Sequence, residues 1–438
     1  MKALAEILLD AGWLLTGSDA SPDPNSLAVL SARGLTINAG HHADLSGLQP
    51  DIVISSAAIP ENNSERQQAE RLAIPQISYV TALAGIFNER HGIAICGTHG
   101  KSSTTALATH LLTAGGFAPT FACGAQRISD RKNGEFRASS LMVAEACEYA
   151  RHFLELKPQT ICLLGIEEDH FDCYPTVEDA CRAYQKFAGS LPEDGRLIVN
   201  ADCPRAIQIA NALRAEVSAF SVSDPATAWF GERIGPRVRV FHHGEEILVA
   251  QFFQPGAHAL SNLVAAIATT YDFGVNGPSL PDAIAGFQGL ARRFQIISQS
   301  EARTVIDDYA HHPTEIRATL LAAREQFPTA IIRCVFQPHQ VLRTQRLLRE
   351  FAEALCLADQ IAILPVYAAR EINDADRVAL AKKLAGLICE IGTECSFLPS
   401  LDQLPPRLET TGQSHEVILT IGAGDITRIH NDCTRSIQ

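Results

Sequence analysis

Ile93-Ala94-Ile95-Cys96-Gly97-Thr98-His99-Gly100-Lys101-Ser102-Ser103-Thr104-Thr105 decides the reading of this chain. The apolar run ending at Cys96 has the length and composition of a strand buried in a parallel sheet. A glycine-bounded turn follows, and Lys-Ser-Ser then opens the apolar-periodic run Ala106 to Leu112. Strand, turn and helix in that order make a phosphate loop. Gly97 and Gly100 let the backbone turn sharply and bring its N–H groups close to an anion. The helix start adds the positive end of its dipole. Lys101 can place a charge on β- and γ-phosphates, and the Ser102 hydroxyl can ligate Mg2+. Thr98, His99 and Ser103 complete the candidate nucleotide cradle. The longer form of the motif has a glycine six residues before the lysine, where this chain has Ile95, so the match is to the shorter G-x-x-G-K-[ST]. The alternative, a glycine turn capping an ordinary helix, leaves Lys-Ser at the helix start unexplained.

The rest of the chain must supply what such a loop serves. At 438 residues, two or three domains are expected, and 46% hydrophobic residues suffice for real cores. A net charge of −13 with no long basic run points away from nucleic acid and anionic membrane as partners. No apolar stretch reaches the length of a membrane span. The segment after Met1 carries Glu6 and Asp10, so it reads as an amphipathic helix and not a signal peptide. Twelve cysteines without C-x-x-C or zinc spacing read as free thiols in a reducing cytoplasm.

The expected fold is α/β in three domains. Residues 1–89 read as a doubly wound parallel sheet: a helix Ala3–Ala11 stopped by Gly12, a strand Trp13-Leu14-Leu15 leading to Gly17-Ser18-Asp19, a buried strand Asp51–Ser56, and a helix Glu61–Leu72. Asp19 would sit at a carboxyl strand end, where such folds hold a sugar hydroxyl. A nucleotide domain of this kind normally opens with a strand and a glycine loop. Here the chain begins at the helix, so that first strand and loop are expected to be missing. Residues 90–293 read as a phosphate-loop ATPase-like parallel sheet with a small β-rich part between Glu216 and Phe253. Residues 294–438 read as a Rossmann-like α/β domain.

Polar residues cluster at the expected strand ends. Glu145 and His170 each follow a strand of the central domain, and with Ser102 could hold a hard divalent ion between phosphates. Glu148 is a second carboxylate nearby, and His170 lies in the acidic run Glu167-Glu168-Asp169-His170. Asp307-Asp308-Tyr309-Ala310-His311-His312-Pro313 joins a third-domain strand to a helix. So dense a polar loop reads as a site, although Asp307 and Asp308 could simply cap the helix. Arg293, in Arg292-Arg293-Phe294 at the domain boundary, can reach a phosphate bidentately or stand in solvent as a linker residue. His339 and Arg343, after Gln337-Pro338, could recognise a carboxylate or belong to a solvated helix start.

In combination these stretches resemble the Mur ligases over the whole chain. The phosphate loop, Glu167–Asp172, Gly256-Ala257-His258-Ala259-Leu260-Ser261-Asn262 and Arg292-Arg293-Phe294 fall in that family's order. Asp308–Arg317 and Phe336-Gln337-Pro338-His339 look like the branch that joins L-alanine to UDP-N-acetylmuramate. The resemblance implies a UDP-sugar domain, a central ATPase and an amino-acid domain, with amide formation driven by ATP and Mg2+. By matched position, Ser102, Glu145 and His170 would ligate Mg2+, and Lys101, His170 and Arg293 would act in catalysis. Asn262 would contact adenine, Arg293 the phosphates and Asp308 the ribose, while Tyr309, His311, His339 and Arg343 would surround the amino acid. The chain departs from the pattern at Ser102 (for Thr), Gln340 (for Arg) and Arg370 (for Gly).

Overall fold

The computed structural model describes residues 1–20, 22, 24–367, 374–403 and 415–430. Arg370 lies outside the described residues. The strands, in chain order, are β1 Thr16–Asp19, β2 Thr36–Ala39, β3 Val53–Ser55 and β4 Gln76–Ser78 in the N-terminal part. The central part holds β5 His91–Cys96, β6 Thr120–Ala122, β7 Gly134–Glu135, β8 Leu141–Glu145, β9 Thr160–Leu163, β10 Arg196–Asn200, β11 Glu216–Ser221, β12 Trp229–Ile234, β13 Arg237–His242 and β14 Glu245–Gln251. The last part holds β15 Gln295–Gln299, β16 Arg303–Asp308, β17 Ile331–Phe336, β18 Gln360–Ile363, β19 Glu394–Phe397 and β20 Glu416–Ile421.

One sheet dominates, ordered β14-β13-β12-β11-β10-β9-β5-β8-β6-β7. From β12 to β6 neighbouring strands are parallel, whereas β13, β14 and β7 pair antiparallel at the edges. The β-rich stretch is therefore an extension of the parallel sheet and not a separate module. Side chains of β5 alternate between two cores, as strand geometry requires: Ile93 and Ile95 meet the helices Lys101–Ala114 and Ala257–Thr270, and Ala94 and Cys96 meet the opposite layer. The chain runs from β5 out to β6 and β8, then crosses to β9 on the other side. The carboxyl end of β5 is thus a switch point, where open α/β sheets bind ligands. The third sheet, β15-β16-β20-β17-β18-β19, is parallel except at β15, and its β16 carries Asp307 and Asp308 at its end.

The N-terminal part keeps the parallel strand–helix alternation, but hydrogen bonding divides it into two two-stranded sheets, β1-β2 and β3-β4. Trp13-Leu14-Leu15 is not a strand. Gly12, at φ +87°, ends the first helix, and the Gly12 and Trp13 N–H groups bond back to Leu9 and Leu8 carbonyls. The next residues serve that reversal, with Trp13 and Leu14 exposed, and pairing starts only at Thr16 opposite Thr36. The Asp51–Ser56 strand is shorter than the apolar run and only half-buried. The eleven described cysteines are all free thiols. Among the described residues no helix is long and apolar enough to cross a membrane.

Candidate functional site

The phosphate loop is built by contacts that leave no room for side chains at its glycines. Gly97 takes φ +131°, and a Cβ there would stand 2.9 Å from the Gly165 nitrogen. Gly100 takes φ +81° as the N-cap of the helix Lys101–Ala114, and a Cβ there would stand 2.4 Å from Asn262 Oδ1. The Thr98 N–H donates to the Gly165 carbonyl at 2.9 Å, and the Glu167 N–H donates to Thr98 Oγ1 at 2.9 Å. The loop is thereby pinned to the segment that follows β9.

Two polar groups surround the helix start. Ser102 Oγ donates to Glu145 Oε2 at 2.7 Å, and the Gly124 N–H donates to the same oxygen at 2.8 Å. Lys101 Nζ folds back on the Gly97 and Thr98 carbonyls, at 2.6 and 3.0 Å, and pairs with buried Glu148 at 2.9 Å. Burial works against charge on Lys101, but Glu148 outweighs it and raises the ammonium pKa. For Glu148 burial likewise opposes ionisation, and Lys101 and His170 outweigh it. His170 Nε2 stands 3.5 Å from Glu148, and its Nδ1 is buried without a hydrogen-bond partner.

The third domain closes over the loop. His99 Nδ1 lies 3.1 Å from Glu315, Thr314 Oγ1 donates to Glu167 at 2.6 Å, and Arg343 pairs with Asp169 at 2.6 Å. Burial opposes charge on His99, yet Glu315 and Glu167 hold its pKa up at about 9. Burial pushes His311 down to about 4 and His339 to about 3, so both are neutral near pH 7. His311 and His339 rings stand 5.9 Å apart, and Arg343 reaches His339 Nδ1 at 3.4 Å. Between the loop and this domain is a cavity of about 410 Å3, lined by Gly100, Ser103, Asn200, Asn262, Arg293 and Asp308 among others. Burial lifts the Asp308 carboxyl to about pH 6, against the pull of Arg293 and of N–H bonds from Phe294 (2.7 Å) and Ala310 (2.8 Å).

The chain's relatives identify its family. Residues 1–91 match the profile described as Mur ligase family, catalytic domain, residues 95–270 the Mur ligase middle domain, and residues 292–424 the Mur ligase, glutamate ligase domain. The UDP-N-acetylmuramate–L-alanine ligase of Caldanaerobacter subterraneus subsp. tengcongensis is 33% identical over 436 residues, covering 98% of this chain and 94% of that protein. That of Clostridium novyi is 34% identical over 435 residues, covering 98% and 93%. The chain belongs to the Mur ligase family. Members are ATP-dependent ligases, and this is one. Among solved structures, UDP-N-acetylmuramate-alanine ligase from Thermotoga maritima superposes with a TM-score of 0.83 at 25% identity, covering 100% of this chain and 96% of that one. A murein peptide ligase from Psychrobacter arcticus shares the fold, with a TM-score of 0.75 at 22% identity and 99% and 96% coverage.

Against the Mur ligase expectation, the structure brings some residues together and separates others. Asn262, Arg293 and Asp308 line one cavity with Gly100 and Ser103. Ser102 and Glu145 touch, but His170 contacts Glu148 and not Glu145. Arg292 and Arg293 differ: Arg292 anchors to Asp307 and to the Gly422 and Gly424 carbonyls, while Arg293 faces the cavity and Glu315. Left-handed backbone at Arg292 (φ +61°) and Phe294 (φ +46°) sets the two arginines apart. Arg343 is buried and committed to Asp169, so its charge is already matched. Tyr309 takes Arg292 and Arg293 against its ring at 5.0 and 5.2 Å. Asp19 is exposed at the end of β1, outside this cluster. The residues that sequence reasoning left unassigned are Glu148, Glu167, Asp169, His312 and Glu315. Glu167, Asp169 and His312 were signalled by membership of the two dense polar runs, Glu315 by the Asp308–Arg317 stretch, and Glu148 only by its closeness to Glu145.

Proposed function

We propose that the chain joins L-alanine to the carboxylate of UDP-N-acetylmuramate, with ATP hydrolysed to ADP and phosphate, in peptidoglycan precursor synthesis. The carrying observation is that the phosphate loop and the third-domain polar cluster meet across one cleft, through His99–Glu315 and Asp169–Arg343. Similarity at this level to two full-length ligases of that specificity supports the substrate pair. The reading assigns three domains, 1–89 for the UDP-sugar, 90–293 for ATP and 294–438 for the amino acid, and a cytoplasmic setting.

A free carboxylate is a poor electrophile, so transfer of the γ-phosphoryl group first makes an acyl phosphate. The amine of L-alanine attacks that carbonyl, and the tetrahedral intermediate expels phosphate. Lys101, released from the loop carbonyls by an arriving phosphate, supplies positive charge to the transferring group. Arg293 adds a second cation from across the cleft, and Asn262 and Asp308 hold the nucleoside. Ser102, Glu145 and Glu148 supply the hard oxygen donors that suit Mg2+, with His170 as a further ligand beside Glu148; the ion would neutralise phosphate charge when bound. Neutral His311 and His339, with Tyr309 and Arg343, frame the amine-bearing substrate. Asp19 would meet the sugar nucleotide. Phosphate release requiring ATP, Mg2+, UDP-N-acetylmuramate and L-alanine together tests the assignment, and phosphate release independent of either acceptor substrate refutes it.

Gln340 favours a second reading, in which the ligase takes another amino acid or a peptide. It occupies left-handed backbone (φ +69°) at the start of the helix Val341–Arg346, where the family resemblance expects a cation. Equal rates with L-alanine and bulkier amines would establish it.

A further inference from the structure

His99, Glu167 and His312 offer one ligand atom each, and the three atoms lie within 4.8 Å of one another. His99 Nε2 is 3.5 Å from Glu167 Oε2, and His312 Nδ1 is 3.7 Å from the same oxygen. Ligands of a tetrahedral zinc ion with bonds of about 2.0–2.1 Å stand roughly 3.4 Å apart, so slight rotation of the imidazoles suffices. We propose that these three residues bind a borderline divalent transition-metal ion such as Zn2+, bridging the central and third domains at the mouth of the nucleotide cavity.

The surroundings of the histidines argue for this. A metal-ligating histidine characteristically uses its other ring nitrogen on a carboxylate or a backbone carbonyl, which fixes ring orientation. Both rings are held in that way: His99 Nδ1 against Glu315 at 3.1 Å, and His312 Nε2 against the Glu168 carbonyl at 3.1 Å. His99 Nε2, turned toward Glu167, is buried and has no hydrogen-bond partner. His312 Nδ1 is the ring's unprotonated nitrogen: it accepts the Thr314 N–H at 3.3 Å, a long bond that a metal ion would replace. Glu167 Oε2 accepts from Thr314 Oγ1, which orients the carboxylate. The supporting elements are the phosphate loop, the turn after β9, and the N-cap of the helix Pro313–Gln326. Two imidazoles and one carboxylate select zinc or its neighbours over Mg2+, which prefers oxygen. His99, Glu167 and Glu315 also line the cavity, which leaves the fourth position open to water or a phosphate oxygen. An ion here takes the place of the proton that the carboxylates favour on His99. It would tie the phosphate loop to the third domain and hold the cleft closed.

The test uses the full chain without nucleotide, loaded with Co2+ as a spectroscopic stand-in for Zn2+. One equivalent is expected to bind with visible bands that Zn2+ abolishes. His312→Gln and Glu167→Gln are expected to weaken binding at least about tenfold. His170→Gln, in the separate group with Glu148, should leave the bands unchanged. X-ray absorption on the Zn2+-loaded unmodified chain, a readout that needs no variant to fold, should report two imidazoles. One imidazole or none, bands that follow His170, or no stoichiometric binding overturns the proposal. Neither readout uses turnover, so the result stands apart from the ligase reading.

Discussion

Arg343→Met separates the central and third domains' deepest charge contact. Arg343 is 2% exposed and Asp169 7%, and one Asp169 oxygen receives both Arg343 Nε at 2.8 Å and Nη2 at 2.6 Å, besides the His170 N–H at 2.7 Å. Burial resists ionisation of Asp169, but Arg343 outweighs it and holds the carboxyl well below the usual range. Removing one partner of such a pair leaves an uncompensated buried charge and costs about 3–5 kcal/mol. Asp169→Asn should cost a similar amount through the stranded guanidinium. The double variant strands neither charge, so the two effects should not add. A double-mutant cycle from urea unfolding near neutral pH should yield a coupling of about 2–3 kcal/mol. The sign with pH follows from the depressed carboxyl. The stabilisation is present above the unfolded-state pKa of about 4 and is lost as pH falls toward the folded value. A coupling below about 0.5 kcal/mol, or one unchanged under acid, refutes the argument that this pair fastens the domains.

Lys101→Met should slow substrate-dependent phosphate release by about 100- to 1000-fold, because it deletes the loop's cation and strands Glu148; a steady-state phosphate assay measures it. Gly100→Ala should destabilise the chain by about 2–5 kcal/mol, combining left-handed strain with the clash on Asn262, read as a lowered unfolding midpoint. Asp308, lifted to about 6 by burial, gives the fold stability that is complete below the unfolded pKa and lost as pH rises through 6. Asp308→Asn should remove that component, seen as the difference between the two proteins' stabilities across about pH 4 to 7. Glu145→Gln should raise the Mg2+ concentration for half-maximal rate at least about tenfold, measured by metal titration.

Local sequence carried the elements whose physics is local. The apolar run before Gly97 had to be a buried strand, and the glycines had to turn where a side chain would strike Gly165 or Asn262. The β-rich stretch was equally legible, although only strand pairing revealed that β12 continues the central sheet. Trp13-Leu14-Leu15 was misread because apolar composition says nothing of a helix end that consumes the next residues in a reversal. Glu148 was noted only as a second carboxylate near Glu145, because a carboxylate's role depends on what burial brings to it, here Lys101 and His170.

The sequence by itself determined the phosphate loop, the parallel α/β character and the residue types that crowd the third-domain loop, because glycine conformation, apolar periodicity and side-chain chemistry act over a few residues. Tertiary structure alone decided the pairings. His99 meets Glu315 across 216 positions, and Arg343 meets Asp169 across 174. Those contacts exist only where two separately folded sheets bring their carboxyl ends together. Burial there, more than residue identity, fixes which groups are charged and which residues share a task.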